Sequence, residues 1–385
     1  MGFATTESDN DVVWLRKVKA HEINIHTGAT IGANGFFPGE ATTVISAAPY
    51  FDNDEVRLYD TTVYGGDAMI RTGAEINITV APYDASVDTL TTNSNAIYQL
   101  EDNDRVRVVY SHFSHGNLDI DTGTRIHATV WHDHGPLTAQ ASLVETADYN
   151  SAALLVSLYD NDRVSVKETK VSKGNIEIST GVDAHISPAD DDLVDISIAE
   201  LNEVPNTELR AHIEDLDMVD LSWVSVRKRD YSSYYSYLGS KYSDGSNSED
   251  AGNVRIATGA NVVNNDPYVY LTVEMNDDHR VSLYGVVVGY SLIISTGVGA
   301  NGMIGDCPEV NGTSDQDLVE LKYVRQISWK GSTYVSMGDD DDQLRIYGSS
   351  FRGDAMFDGG DGFNTKKVAH TYFAHPPEFL YFVHA

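Results

Sequence analysis

Four histidines and one tyrosine-rich stretch hold the side chains best suited to chemistry or recognition. His132 and His134 stand two apart around Asp133, so on a strand they share one face and offer a divalent metal two imidazoles. His112 and His115 fall in the same repeat and would complete that cluster. Acidic runs at Asp190-Asp191-Asp192 and Asp339 to Asp342 lack the alternating ligands and glycine of a calcium loop, and solvated turns account for both. Tyr231, Tyr234, Tyr235, Tyr237 and Tyr242 lie in an insertion, 230–252, otherwise made of Ser, Asp, Gly and Asn. That is the composition of adaptable contact surfaces, because tyrosine gives large area at low entropy cost. No nucleophile elbow, phosphate loop, paired-cysteine motif or HExxH occurs, so the chain reads as non-enzymatic, with no cofactor expected.

These residues sit among short strands with period-two alternation, bounded by Asp, Asn and Gly corners. An Asp-Asn-Asp turn recurs at Asp9-Asn10-Asp11, Asp52-Asn53-Asp54, Asp102-Asn103-Asp104 and Asp160-Asn161-Asp162, and as Asp215-Leu216-Asp217. A Thr-Gly corner recurs at Thr27, Thr72, Thr122, Thr180, Thr258 and Thr296, each followed by glycine. The first apolar residues after the acidic turns are spaced by 43, 50, 58, 55, 62 and 63 residues. Read as hairpins, each unit holds four antiparallel strands, the size of a propeller blade.

The chain opens at a turn and closes on Glu378 to Ala385, a strand with no turn after it. Joined, the two ends make one unit, as ring closure requires. The pattern therefore resembles a seven-bladed β-propeller of four-stranded antiparallel blades. It predicts a single domain over 1–385, with blade one built from 9–35 plus 378–385 and the tyrosine insertion 230–252 in blade five. The Leu154-type strands would line the axis.

The formal charge is −32 with only 26 basic residues, and the one basic run is Arg227-Lys228-Arg229. Nucleic-acid binding is therefore not expected. Acid spread over nearly every turn marks adaptation to concentrated salt, where a Debye length of about 3 Å screens self-repulsion. The single cysteine, Cys307, excludes an intramolecular disulfide, no apolar run spans a membrane, and the N-terminus lacks a secretion signal. The acidic, unsecreted, loop-decorated character is similar to capsid turrets, spikes and tail proteins of haloarchaeal viruses. That resemblance implies a virion component made in the host cytoplasm, oligomeric, docked on other virion proteins and presenting loops to a host glycan or glycoprotein. The alternatives are a glycan hydrolase or lyase with its site at the propeller axis, and an intracellular scaffold in a halophile.

Overall fold

The computed structural model describes residues 7–35, 44–46, 50–80, 95–130, 152–188, 207–227, 252–264, 269–297, 299–302, 309–314, 316–338 and 341–383. Every strand pairing among them is parallel, and the strands build five sheets of six to ten strands rather than four-stranded blades. The chain is a β-solenoid. The second coil shows the plan: Glu55–Tyr59 (sheet I), Thr62–Val63 (sheet II), Ala68–Arg71 (sheet III), Glu75–Val80 (sheet IV) and Asn95–Asp102 (sheet V). Each later coil lays its strands in register on the one before, at the parallel-sheet spacing of about 4.8 Å.

Sheets I, II and III enclose the core. Their inward residues stack on their equivalents, as in Val56–Val106–Val164–Val219 in sheet I and Ile70–Ile120–Ile178–Ile256 in sheet III, all at most 2 % exposed. Each such side chain contributes roughly 1.5–3 kcal/mol through burial. Where sheet II turns polar inside, at Gln326, the amide is fully satisfied: it donates to the carbonyls of Tyr290 and Ser328 and accepts from the N–H groups of Arg352 and Gly353.

Sheets IV and V form an arm on each of the first six coils. Sheet IV leaves the core at the Thr-Gly corner and sheet V returns to it at the acidic turn. From Leu318–Lys322 onward the arms end, and sheet III passes straight to sheet I, as from Ser332–Ser336 to Gln343–Tyr347.

The expected propeller is thus overturned. Alternation of period two says only that one face of a strand is buried, and it is the same for parallel and antiparallel partners. The acidic and Thr-Gly corners redirect the chain from one sheet to the next instead of folding it back on itself. The ring does not close either: Glu378–Leu380 pairs with Asp354–Asp358, and Phe382–Val383 pairs with Asn364–Ala369. The Leu154-type strand, Ala152–Asp160, belongs to sheet V of an arm and lines no axis. The glycines of the Thr-Gly corners are set by close backbone approach rather than by positive φ. A Cβ on Gly73 would lie 2.3 Å from the carbonyl oxygen of Gly123, so the backbone of the next coil requires glycine there.

Positive φ is concentrated instead at the corner between sheets I and II. Lys17, Asp60, Tyr110, Glu168, Trp223, Gly285, Tyr323, Gly348 and His370 all adopt φ of 48–64°. Only two of these nine are glycine, although a side chain in this region costs about 1–2 kcal/mol.

Candidate interaction face

The outward side of sheet I carries a charge opposite to that of the chain. Arg105, Arg163 and Arg280 project from its first outward column, and Arg57, Arg107, Arg345 and Lys367 from the middle one. Arg16, Lys167 and Lys322 project from the last. These ten, of the 26 basic residues in the sequence, face only three acids, Glu55, Asp220 and Glu320. Glu320 binds Arg280, Lys322 and Arg345 at 3.1–3.3 Å across three coils. Burial raises its pKa, but hydrogen bonds from Lys322 and Arg345 outweigh that and lower it overall. Arg57 grips Glu55 through both nitrogens, at 2.7 and 2.6 Å.

Aromatic rings run along the edge of this face. Trp223, Tyr284, Tyr323, Tyr347 and His370 follow one another at 5.2–5.6 Å with interplanar angles of 82–87°, one ring per coil. Their placement alternates. Trp223 and Tyr323 occupy the positive-φ corner, and the next coil places glycine at that corner and its ring one residue earlier. Gly285 and Gly348 are required there, since a Cβ would come within 2.7 Å of the Trp223 and Tyr323 rings. Tyr59 and Tyr110 repeat the contact near the other end at 5.4 Å. Trp14, Arg16, Arg57, Tyr59 and Arg107 line a shallow groove of about 290 Å³, with the Arg16 guanidinium 5.7 Å from the Tyr59 ring centre.

Behind the face, at the roots of the arms, lies a seam of buried carboxylates. In four of the acidic turns the first aspartate accepts the N–H two residues after the threonine of the Thr-Gly corner: Asp52 from Ala29, Asp102 from Ala74, Asp160 from Thr124 and Asp215 from Val182, at 2.7–3.2 Å. The third accepts the equivalent N–H of the preceding coil: Asp54 from Asp11, Asp104 from Asp54 and Asp162 from Asp104, at 2.6–2.7 Å. The ladder runs on through Asp217, His279, Asp317 and Asp342 to Asn364. Burial drives Asp102, Asp104, Asp160, Asp162 and Asp217 upward in pKa, and Asp52 is pushed up to about 7.

Of the residues singled out from sequence, His112 lies in the sheet II strand His112–Ser114, and His115 follows it with its Nε2 2.9 Å from Lys173 Nζ. His132, His134 and the tyrosines 231, 234, 235, 237 and 242 lie outside the described residues, as do Asp190 to Asp192. The sequence does not reveal the arginine face, because its members are about 40–60 residues apart and form no linear run. The available signal was an Arg directly after the acidic turn at 105, 163 and 280. No family model, curated protein or solved structure matches this chain.

Proposed function

We propose that this protein is a non-enzymatic interaction module whose sheet I face binds an extended acidic glycan of a cell surface. The observation that carries this is the line of arginines beside an exposed aromatic ridge on a chain of net charge −32. Arginine pairs carboxylates and sulfates through two parallel hydrogen bonds, and exposed rings stack on the apolar faces of sugars. Both contacts are short-range and so survive in strong salt, where longer-range attraction is screened. The rings meet edge to face and leave no open slot between them for a nucleic-acid base. Ring orientation repeats every second coil, about 9.6 Å, which suits a polymer with a two-sugar repeat.

The setting that fits the acidic composition is the virion surface of a halophilic archaeal virus, with the solenoid as an attachment component. The test is retention of the full chain on immobilised polygalacturonate in molar salt, with dextran and single-stranded DNA as controls. Retention on polygalacturonate alone is expected, with Arg57→Ala/Arg107→Ala weakening it by about tenfold or more. Equal retention on dextran or DNA, or none on polygalacturonate, overturns the reading.

A further inference from the structure

The seam holds more than structural hydrogen bonds. Asp160, Asp162 and Asp217 each offer a carboxylate oxygen, these oxygens all lie within 4.8 Å of one another, and the three residues are at most 1 % exposed. In each, one oxygen is already used: Asp160 Oδ2 accepts from Thr124 at 3.0 Å, Asp162 Oδ1 from Asp104 at 2.7 Å and Asp217 Oδ1 from Asp162 at 2.8 Å. The other oxygen of each, Asp160 Oδ1, Asp162 Oδ2 and Asp217 Oδ2, makes no well-aligned hydrogen bond. An independent group points the same way. The Thr180 hydroxyl is fully buried against the Asp217 carboxylate, and its contact there is too poorly aligned to satisfy it. Among the described residues, no lysine or arginine forms an ion pair with any of the three acids. Buried carboxylates left in this state are unfavourable by several kcal/mol each unless a positive charge joins them.

We propose that Asp160, Asp162, Asp217 and the Thr180 hydroxyl form a Ca²⁺ site inside the seam. All four donors are hard oxygens, which select Ca²⁺ or Mg²⁺ over softer metals. The three carboxylate oxygens lie within 4.8 Å of one another, a spacing compatible with neighbouring ligands on one Ca²⁺ held by Ca–O bonds of about 2.3–2.6 Å. Between the two ions, Ca²⁺ is favoured because it accepts irregular geometry and a variable ligand number, whereas Mg²⁺ demands near-ideal octahedral geometry. The ion would tie three consecutive coils together where the arms leave the core.

The competing explanation is that protons shared between the carboxyls fill the same gaps, and one experiment separates the two. The EDTA-treated full chain is titrated with CaCl₂ in concentrated NaCl by calorimetry, and its thermal unfolding is followed with and without Ca²⁺. Saturable binding and a higher Tm, reversed by EDTA, are expected. Asp162→Asn and Thr180→Val should each lower the affinity by about tenfold or more. The asparagine keeps the ladder bond, as Asn364 does in accepting from Asp342 at 2.8 Å, and the valine keeps the shape of threonine. A chain blind to Ca²⁺ overturns the proposal, as does Ca²⁺ binding of unchanged affinity in both variants. A Ca²⁺-independent rise in Tm of the Asp162→Asn protein would assign the gaps to protons and overturn it too.

Discussion

The backbone N–H of Ala74 donates to the Asp102 carboxylate at 2.7 Å, although 28 residues separate the two. This bond joins the strand that leaves the core to the strand that returns, so this arm is pinned at its root, as are those at Asp52, Asp160 and Asp215. The same Asp102 oxygen also accepts the Thr124 hydroxyl of the next coil at 2.8 Å. Replacing Asp102 by alanine strands two buried donors, at about 1–3 kcal/mol each. Asp102→Ala should therefore lose about 3 kcal/mol or more in urea denaturation. Asp102→Asn keeps an acceptor and removes a buried charge beside Asp104 and Asp160, so it should stay within about 1 kcal/mol of the parent.

Stability should also depend on pH through Asp52. Burial is the main cause of its raised pKa; the Ala29 N–H opposes it, and repulsion from Asp54, Asp9 and Asp11 adds to it. The folded state thus holds a proton up to about pH 7, whereas the unfolded chain releases it near pH 3.9. The folded form binds more protons in between, so this contribution is fully present below about pH 4 and is lost as pH rises to about 7. Denaturation midpoints measured in EDTA from pH 4 to pH 8 should fall, and the fall should be shallower in Asp52→Asn.

The aromatic ridge predicts a separation of stability from binding. Trp223 occupies positive φ at 55°, a cost of about 1–2 kcal/mol that glycine would remove. Its edge contact with Tyr284 offsets about 0.5–1.5 kcal/mol of that. Trp223→Gly should therefore unfold within about 1 kcal/mol of the parent while losing polygalacturonate retention. A large drop in stability with retention intact would assign the ring to the fold instead.

Much of the architecture was legible as spacing. Asp54 to Thr72, Asp104 to Thr122 and Asp162 to Thr180 are each 18 residues, while the stretch from each Thr-Gly to the next acidic turn varies. Eighteen residues hold three short strands and their corners, which is one three-sided coil, and leave no room for a four-stranded blade. The direction of pairing was not legible. Val56 and Val106 face the core whether their strands run parallel or antiparallel, and Asp, Asn and Gly serve both kinds of corner. What distinguishes a solenoid is that identical residues at identical offsets touch each other. Asn53 accepting from Asn103 at 2.9 Å, and Asn103 from Asn161 at 2.8 Å, are contacts of that kind. The seam acids were read only as turn formers, because nothing local marks Asp162 as buried beneath an arm. The arginine face was missed for the same reason: Arg57 and Arg107 become neighbours only after the coils stack.

The pinned arm roots bear on how this chain diversifies. The segments joining sheet IV to sheet V range from 4 residues, 265–268, to 21, 131–151, while the core they hang from keeps its register. Because the roots of the first four arms are each sealed by one aspartate–amide bond, lengthening a segment beyond such a root perturbs no stacked residue of the coil below. Loop closure entropy grows only logarithmically, so doubling such a segment costs about 0.6 kcal/mol. Natural selection can then change the length and sequence of these segments, coil by coil, while the scaffold's folding instructions are inherited unchanged.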